Sequence, residues 1–297
     1  MKNLDLFSVK NKINFDGNLD ASKNISLYKC FFICNNKLVF FKNKCFYITF
    51  KNIKFLNIKK ENIYILGKSK NILFIGASVS LRKIKKISDN NFHSLISLRE
   101  SINITDKTHV SYLSALYFMQ NWKKNHKFCS KCGSTNKFDS KRNCLICVNQ
   151  NCLRKIFPKI DPTVIILIKN NNKILLARSK NWQYNLYSCI AGFCEPNESL
   201  EETVIRETYE EVGLKLKKIK YLFSQFWPFA NNLMVGFEAT STSTKLKINK
   251  EEIDNAIWVT KKELLSLKRQ KKIILPRKYA IAHSLIKYWH NNKINSF

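Results

Sequence analysis

Residues 192–214 read GFCEPNESLEETVIRETYEEVGL, and the spacing of their carboxylates decides how the rest of the chain is understood. After Gly192 a carboxylate stands at Glu198, then come Arg206 and Glu207, then Glu210 and Glu211, then Gly213 and Leu214. Ser199 followed by Glu202 is a capping-box pattern that opens a helix, and Gly213 supplies the left-handed residue that commonly closes one. Val204, Ile205 and Val212 offer apolar positions behind the acidic side. Within this helix Glu207, Glu210 and Glu211 are three and four positions apart and share one face. Carboxylates that close repel one another unless a cation sits among them. Hard oxygen ligands with room for water and phosphate suit Mg²⁺ or Mn²⁺.

Outward from the helix, strand-like LYSCIAGF (186–193) precedes it and KIKYLFSQF (218–226) follows. Upstream, TVIILI, a KNNNK turn and ILLAR form a hairpin pattern; downstream come LMVGFEA and AIWV, then helix-like KKELLSL and RKYAIAHSLIKYWH. A mixed sheet flanked by helices is the arrangement these elements favour. Residues 1–125 read as a β-rich N-terminal domain of short strands (LVFF, CFYITF, NIYIL, NILFIGASV) ending in a helix around His109 to Trp122. Residues 126–157 form a metal ribbon and residues 158–297 the catalytic domain.

Five of the ten cysteines lie between Cys129 and Cys152. Cys129-x2-Cys132 followed by glycine is a knuckle whose backbone amides face the thiolates, and a second pair completes a four-cysteine zinc site. That pair is either Cys144-x2-Cys147 or Cys147-x4-Cys152. We expect Cys147 and Cys152, since Cys152 stands just before the chain enters its next domain, with Cys144 as a spare thiol or alternative ligand. Four thiolates leave no open coordination position, so the zinc is expected to be structural. Cys30, Cys34, Cys45, Cys189 and Cys194 read as small core hydrophobes.

At 297 residues and 45% hydrophobic composition the chain has material for several domains and a substantial core. No run reaches the length of a membrane span, and MKNLDLFSVKNKINFDG lacks an apolar signal core, so the expected location is cytoplasmic. The net charge of +31 implies attraction to polyanions. Its lysines are dispersed without an aromatic-interleaved stripe, and Lys, Asn and Ile abound with only 7 Gly and 5 Pro, as an AT-rich genome imposes. The scattered histidines form no ligand or triad spacing, and there is no nucleophile elbow.

The pattern G-x5-E-x7-R-E-x-x-E-E-x-G-Leu resembles the Nudix box, with Thr208 where an aliphatic is usual. The tract Ser224 to Met234, SQFWPFANNLM, follows it. Together with the ribbon and the AIAHSLIKYW segment, these features resemble the NADH pyrophosphatase family of Nudix hydrolases, also known as NAD-capped RNA hydrolases. The resemblance implies a Nudix α/β/α sandwich of the α+β class with a mixed sheet, joined to the zinc ribbon and the β-rich N-terminal domain.

It also implies Mg²⁺ or Mn²⁺ held by Glu207, Glu211, Glu252 and the carbonyl of Ala191, with Glu210 or Glu211 accepting the proton of the attacking water. Phe193 corresponds to a ring that stacks on a base, and Gln225, Phe226, Trp227, Pro228, Phe229, Ala230, Asn231 and Asn232 to the substrate loop. Ala282, Arg99 and Phe157 match further substrate contacts. Phe226, Ala230 and Asn232 replace the family's Pro, Pro and Ser, Asn197 replaces a turn glycine, and Phe157 a tyrosine. The implied reaction is hydrolysis of NADH or NAD⁺ to nicotinamide mononucleotide and AMP, with NAD-capped RNA as a related substrate and a homodimer as the assembly. The alternatives are a Nudix hydrolase of ADP-ribose or dinucleoside polyphosphates, and a zinc-ribbon RNA-binding module on an inactive scaffold.

Overall fold

The computed structural model describes residues 27–51, 57–69, 71–87, 94–105 and 107–291; the stretch MKNLDLFSVKNKINFDG lies outside them. The described residues form two compact units, one ending at Lys159 and the other beginning at Ile160.

The first unit opens with β1 (Leu27–Cys34), β2 (Lys37–Phe41), β3 (Lys44–Cys45) and β4 (Tyr47–Phe50), then β5 (Ile63–Ser69) and β6 (Ile72–Ser78). Helix α1 (Leu81–Ile87), strand β7 (Ser94–Ile96), and helices α2 (Leu98–Ser101) and α3 (Lys107–Asn125) follow. At the centre of its sheet β1 runs parallel to β6 and antiparallel to β2 and β4. Cys30, Phe32, Cys34 and Ile75 are buried together in its core, so both cysteines there act as small hydrophobes. Burial pushes the Cys30 thiol far above its ordinary range.

The ribbon belongs to this unit. Strands β8 (Asn136–Asp139), β9 (Cys144–Cys147) and β10 (Lys155–Ile156) form an antiparallel sheet in the order β10-β9-β8. The strand that follows Cys152 therefore pairs back onto the ribbon.

The second unit is a mixed sheet with helices on both faces. Its strands are β11 (Asp161–Asn170), β12 (Lys173–Ser179), β13 (Ile190–Phe193), β14 (Leu216–Trp227), β15 (Asn232–Ser241) and β16 (Ile253–Thr260), ordered β14-β15-β11-β12-β16, with β13 also on β11. The β11–β15 pair is parallel and the others antiparallel. The acidic segment forms α4 (Leu200–Val212), and α5 (Lys261–Arg269) and α6 (Ile281–Asn291) complete the unit.

Strand β11 shows why TVIILI is an unbroken apolar run. Val164, Ile166 and Ile168 pack with Val204 and Val212 of α4 on one face. Ile165 and Leu167 pack with Leu264, Ile281, Leu285 and Trp289 of α5 and α6 on the other. A strand covered on both faces needs no polar alternation. The sheet thus holds α4 by its apolar side and leaves its acidic side to be placed by the neighbouring β13.

Candidate active site

Helix α4 begins and ends as its sequence dictates. The Ser199 hydroxyl accepts from the Glu202 amide while the Glu202 carboxylate accepts from the Ser199 amide. Gly213 closes the helix at φ 70°, in the left-handed region. Val204 and Val212 are fully buried, whereas Ile205, read from sequence as part of the same apolar side, is 48% exposed. It lies one position past the buried stripe, about 100° around the helix from Val204.

Glu207 and Glu211, one turn apart, both turn inward and are buried. Glu210 does not follow them. Its side chain stands on the exposed rim, where Arg206 Nη1 donates to it at 3.0 Å. The shared acidic face is thus split into a buried pair and a solvated flank.

Arg206 organises this end of the site. Its Nε and Nη2 form a fork onto Glu198, at 2.5 and 2.9 Å, and Nη2 also donates to the Phe193 carbonyl at 2.8 Å. Nη1 lies 3.0 Å from Glu207. The guanidinium beside Glu198 holds that carboxyl down to about 2, helped by the Glu195 amide and the Thr203 hydroxyl. The preceding loop turns through Asn197 at φ 72°, a left-handed position that Asn tolerates better than most residues.

Burial pushes Glu211 up to about 8, with added repulsion from Glu207, Glu252 and Glu210. Burial also raises Glu207. Glu211 Oε2 is buried with no hydrogen-bond partner among the described residues. Four carboxylates that repel one another around a buried, partnerless oxygen form an all-oxygen donor set that fits a hard divalent ion. Glu211 and Glu252 line one cavity of about 260 Å³ together with Ala191 of β13. Ser179, Asn181, Trp182 and Glu251 line it too. Ser179 ends β12, Asn181 and Trp182 follow it in the loop, and Glu251 stands just before β16; no spacing pattern links these four, because the pairing of β12 with β16 brings them together.

Other expected substrate residues are distributed unevenly. Phe193 ends β13 with 54% of its surface exposed. The Gln225–Asn232 tract is the hairpin joining β14 to β15. Gln225 is buried there, and its amide is committed at both ends: Nε2 donates to the Tyr279 carbonyl at 3.0 Å, and Oε1 accepts from the Ile281 amide at 2.8 Å. This side chain anchors the start of α6. Asn232 is likewise buried and donates to Thr163 at 2.9 Å. Phe226 and Trp227 are half-buried, Pro228 is buried, and Ala230 is exposed at the tip. Trp227 packs edge-on against Phe229, with centroids 5.0 Å apart, and stacks on Tyr279 at 6.1 Å. Asn231 turns the hairpin at φ 58°. Ala282 sits buried in the first turn of α6. Arg99 on α2 and Phe157 just after β10 belong to the first unit.

In the ribbon, the sulfurs of Cys129, Cys132, Cys147 and Cys152 all lie within 4.8 Å of one another, a tetrad able to hold a metal. Gly133 turns the knuckle at φ 73°. A hydrogen bond from the Ser134 backbone lowers Cys132 to about 6, and backbone bonds from Lys131 and Cys132 lower Cys129. Burial pushes Cys147 up to about 12. Cys144 is fully buried on β9 and stands outside the tetrad.

Residues 159–279 match the NUDIX domain family. The chain is similar to the NAD-capped RNA hydrolase NUDT12 of Homo sapiens, 35% identical over 179 residues that cover 57% of this chain and 39% of that protein. It is 35% identical to the NAD(P)H pyrophosphatase NUDT13, mitochondrial, of Mus musculus over 210 residues, covering 66% of this chain and 59% of that protein. It is 31% identical to the NAD-capped RNA hydrolase NudC of Pseudomonas putida over 207 residues, 70% of this chain and 74% of that one. The chain thus spans about two fifths of the length of the NUDT12 relatives it matches. Among the described residues no helix is long and apolar enough to cross a membrane.

Proposed function

The chain belongs to the NADH pyrophosphatase and NAD-capped RNA hydrolase family of the Nudix hydrolases, and from that membership we propose that it hydrolyses the diphosphate bond of NADH or NAD⁺. The products are nicotinamide mononucleotide and AMP, and an NAD cap on RNA presents the same bond. The observation that carries this reading is the convergence of Glu207, Glu211 and Glu252, with Glu211 Oε2 buried and partnerless among the described residues.

Mg²⁺ or Mn²⁺ bound by Glu207, Glu211, Glu252 and the Ala191 carbonyl would polarise the phosphoryl oxygens and lower the pKa of the attacking water. The protein's own part is positional. Burial turns Glu207 and Glu211 inward as the proposed ligands, and Arg206 braces Glu207. Glu210, exposed on the rim and held by Arg206, or Glu211, buried at the cavity wall, takes the proton of the water. Arg206 itself is spent on Glu198, Glu207, Glu210 and the Phe193 carbonyl, so it holds the loop and does not bind the diphosphate.

Phe193 stacks on a base, and the hairpin from Phe226 to Ala230 borders the substrate, with Gln225 and Asn232 supporting it from within. Ala282, Arg99 and Phe157 are assigned to substrate by family likeness. Zn²⁺ in the cysteine tetrad is structural, because four thiolates saturate it. A homodimer acting in the cytoplasm completes the proposal.

The test is product analysis with NADH, NAD⁺, ADP-ribose, diadenosine tetraphosphate and NAD-capped RNA, with and without Mg²⁺ or Mn²⁺. AMP from a nicotinamide dinucleotide only when metal is present is the expected result. AMP from neither NADH nor NAD⁺ overturns the substrate assignment.

A further inference from the structure

The cavity beside the glutamates contains a ring that neither the acidic helix nor the aromatic hairpin explains. Trp182 lies in the loop between β12 and β13, 44% exposed, and lines the same space as Glu211, Glu252 and Ala191. An indole left half open at the wall of a polar cavity has an unused apolar face, well suited to a flat partner. Its loop is also tied down. The Lys180 amide donates to the Glu252 carbonyl at 2.9 Å and the Trp182 amide to the Ser179 carbonyl at 3.1 Å, while Leu186 closes a further turn onto Gln183 at 3.0 Å. The loop that carries the indole is therefore bonded to the peptide that carries Glu252.

A second exposed ring belongs to the same neighbourhood. Phe193 ends β13 with 54% of its surface exposed, and its carbonyl accepts from Arg206 Nη2 at 2.8 Å, the guanidinium that also pairs with Glu207. Trp227 is different in kind, being half-buried and packed on Phe229 and Tyr279. Of the exposed rings near the carboxylates, Tyr184 is covered by the Arg178 guanidinium at 4.5 Å and Tyr209 projects from α4; Trp182, on the loop before β13, lines the cavity itself, and Phe193 stands at the end of that strand. A dinucleoside diphosphate carries two flat bases separated by its diphosphate.

We propose that Trp182 is the stacking platform for the second base of a dinucleoside diphosphate, across the diphosphate from the base already assigned to Phe193. This rests on the proposed diphosphate hydrolysis and deepens it, because the pair of rings selects substrates with a base at each end.

The experiment titrates AMP and nicotinamide mononucleotide separately, with Mg²⁺, into the wild-type protein, Trp182→Leu, Trp182→Phe and Phe193→Leu. Affinity is read by calorimetry and indole quenching by emission. Trp182→Leu is expected to weaken one mononucleotide about fivefold or more, to leave the other within about twofold, and to abolish the quench caused by the first. Trp182→Phe restores most of that affinity, and Phe193→Leu weakens the other mononucleotide. For NADH, Trp182→Leu raises KM more than it lowers kcat. A Trp182→Leu protein that binds both mononucleotides as the wild type does, or weakens both equally, overturns the proposal, as does wild-type protein that binds neither. Trp182-dependent mononucleotide binding in a protein that does not hydrolyse NADH supports the platform and overturns only the reaction it was proposed to serve.

Discussion

Gly192 faces Glu207 so closely that a Cβ built on the glycine would lie 1.9 Å from the Glu207 carboxyl carbon and from its Oε1. The requirement is for space, since Gly192 is not among the positive-φ glycines. The β13 backbone forms the floor under a carboxylate assigned to the metal. Gly192→Ala must displace that carboxylate or the strand, and a shift of about 1 Å at a reacting centre lowers turnover roughly 100-fold. Steady-state hydrolysis of NADH, together with an unchanged far-ultraviolet spectrum, checks this.

Glu207→Gln and Glu211→Gln each remove a carboxylate oxygen from the proposed metal site, and turnover should fall on the order of 100-fold or more. The metal-free proteins should behave differently. Burial, with the repulsion of its neighbours, holds the Glu211 carboxyl up at about 8, so above its ordinary 4.5 the folded protein must keep it protonated at a cost that a neutral amide does not carry, and thermal unfolding without metal at neutral pH is expected at a higher temperature than in the wild type. A Glu211→Gln protein that turns over normally would remove the metal assignment.

The pH dependence of the Glu198–Arg206 pair follows from its sign. Arg206 holds the Glu198 carboxyl at about 2, below its ordinary 4.5. The ionised pair therefore supports the fold fully above the ordinary value, and its contribution disappears as pH falls toward the depressed one. The difference in Tm between wild type and Glu198→Gln should be largest near neutral pH and close progressively between pH 4.5 and about 2. A difference that stays constant across that window would show that the pair does not act through ionisation.

Thr208 is fully buried and its hydroxyl has no hydrogen-bond partner among the described residues. Thr208→Val keeps the shape and removes the unpaired group, which should stabilise the protein by about 1 kcal/mol. Denaturant unfolding measures it, and NADH turnover is expected to be unchanged.

In the ribbon, Cys152→Ala should lose bound zinc, and Cys144→Ala should retain it, because only Cys152 lies with the sulfurs of Cys129, Cys132 and Cys147. Metal analysis of the purified variants separates the two. Equal zinc content in both would contradict the tetrad.

Spacing along the chain was sufficient for whatever depends on neighbours within one turn. Ser199 and Glu202 cap α4 and Gly213 ends it because those bonds join residues three or four apart. The alternating cores on either side of β11 were legible in the same way, since an unbroken apolar run implies a strand covered twice. The same local chemistry could not distribute the carboxylates between core and solvent. Glu207, Glu210 and Glu211 are equivalent in sequence, and only the approach of β13 buries two of them and leaves the third on the rim.

Long-range contacts decided the rest. Gln225 stands in a tract suggestive of substrate, yet it is consumed by Tyr279 and Ile281, more than fifty residues away. Trp182 stands in an unpatterned loop, yet it shares a cavity with Glu252 because β12 pairs with β16. Periodicity and capping are written into adjacent residues. Which side chains meet at a site, and which are used up supporting it, is set by strand pairing and by the burial that pairing imposes.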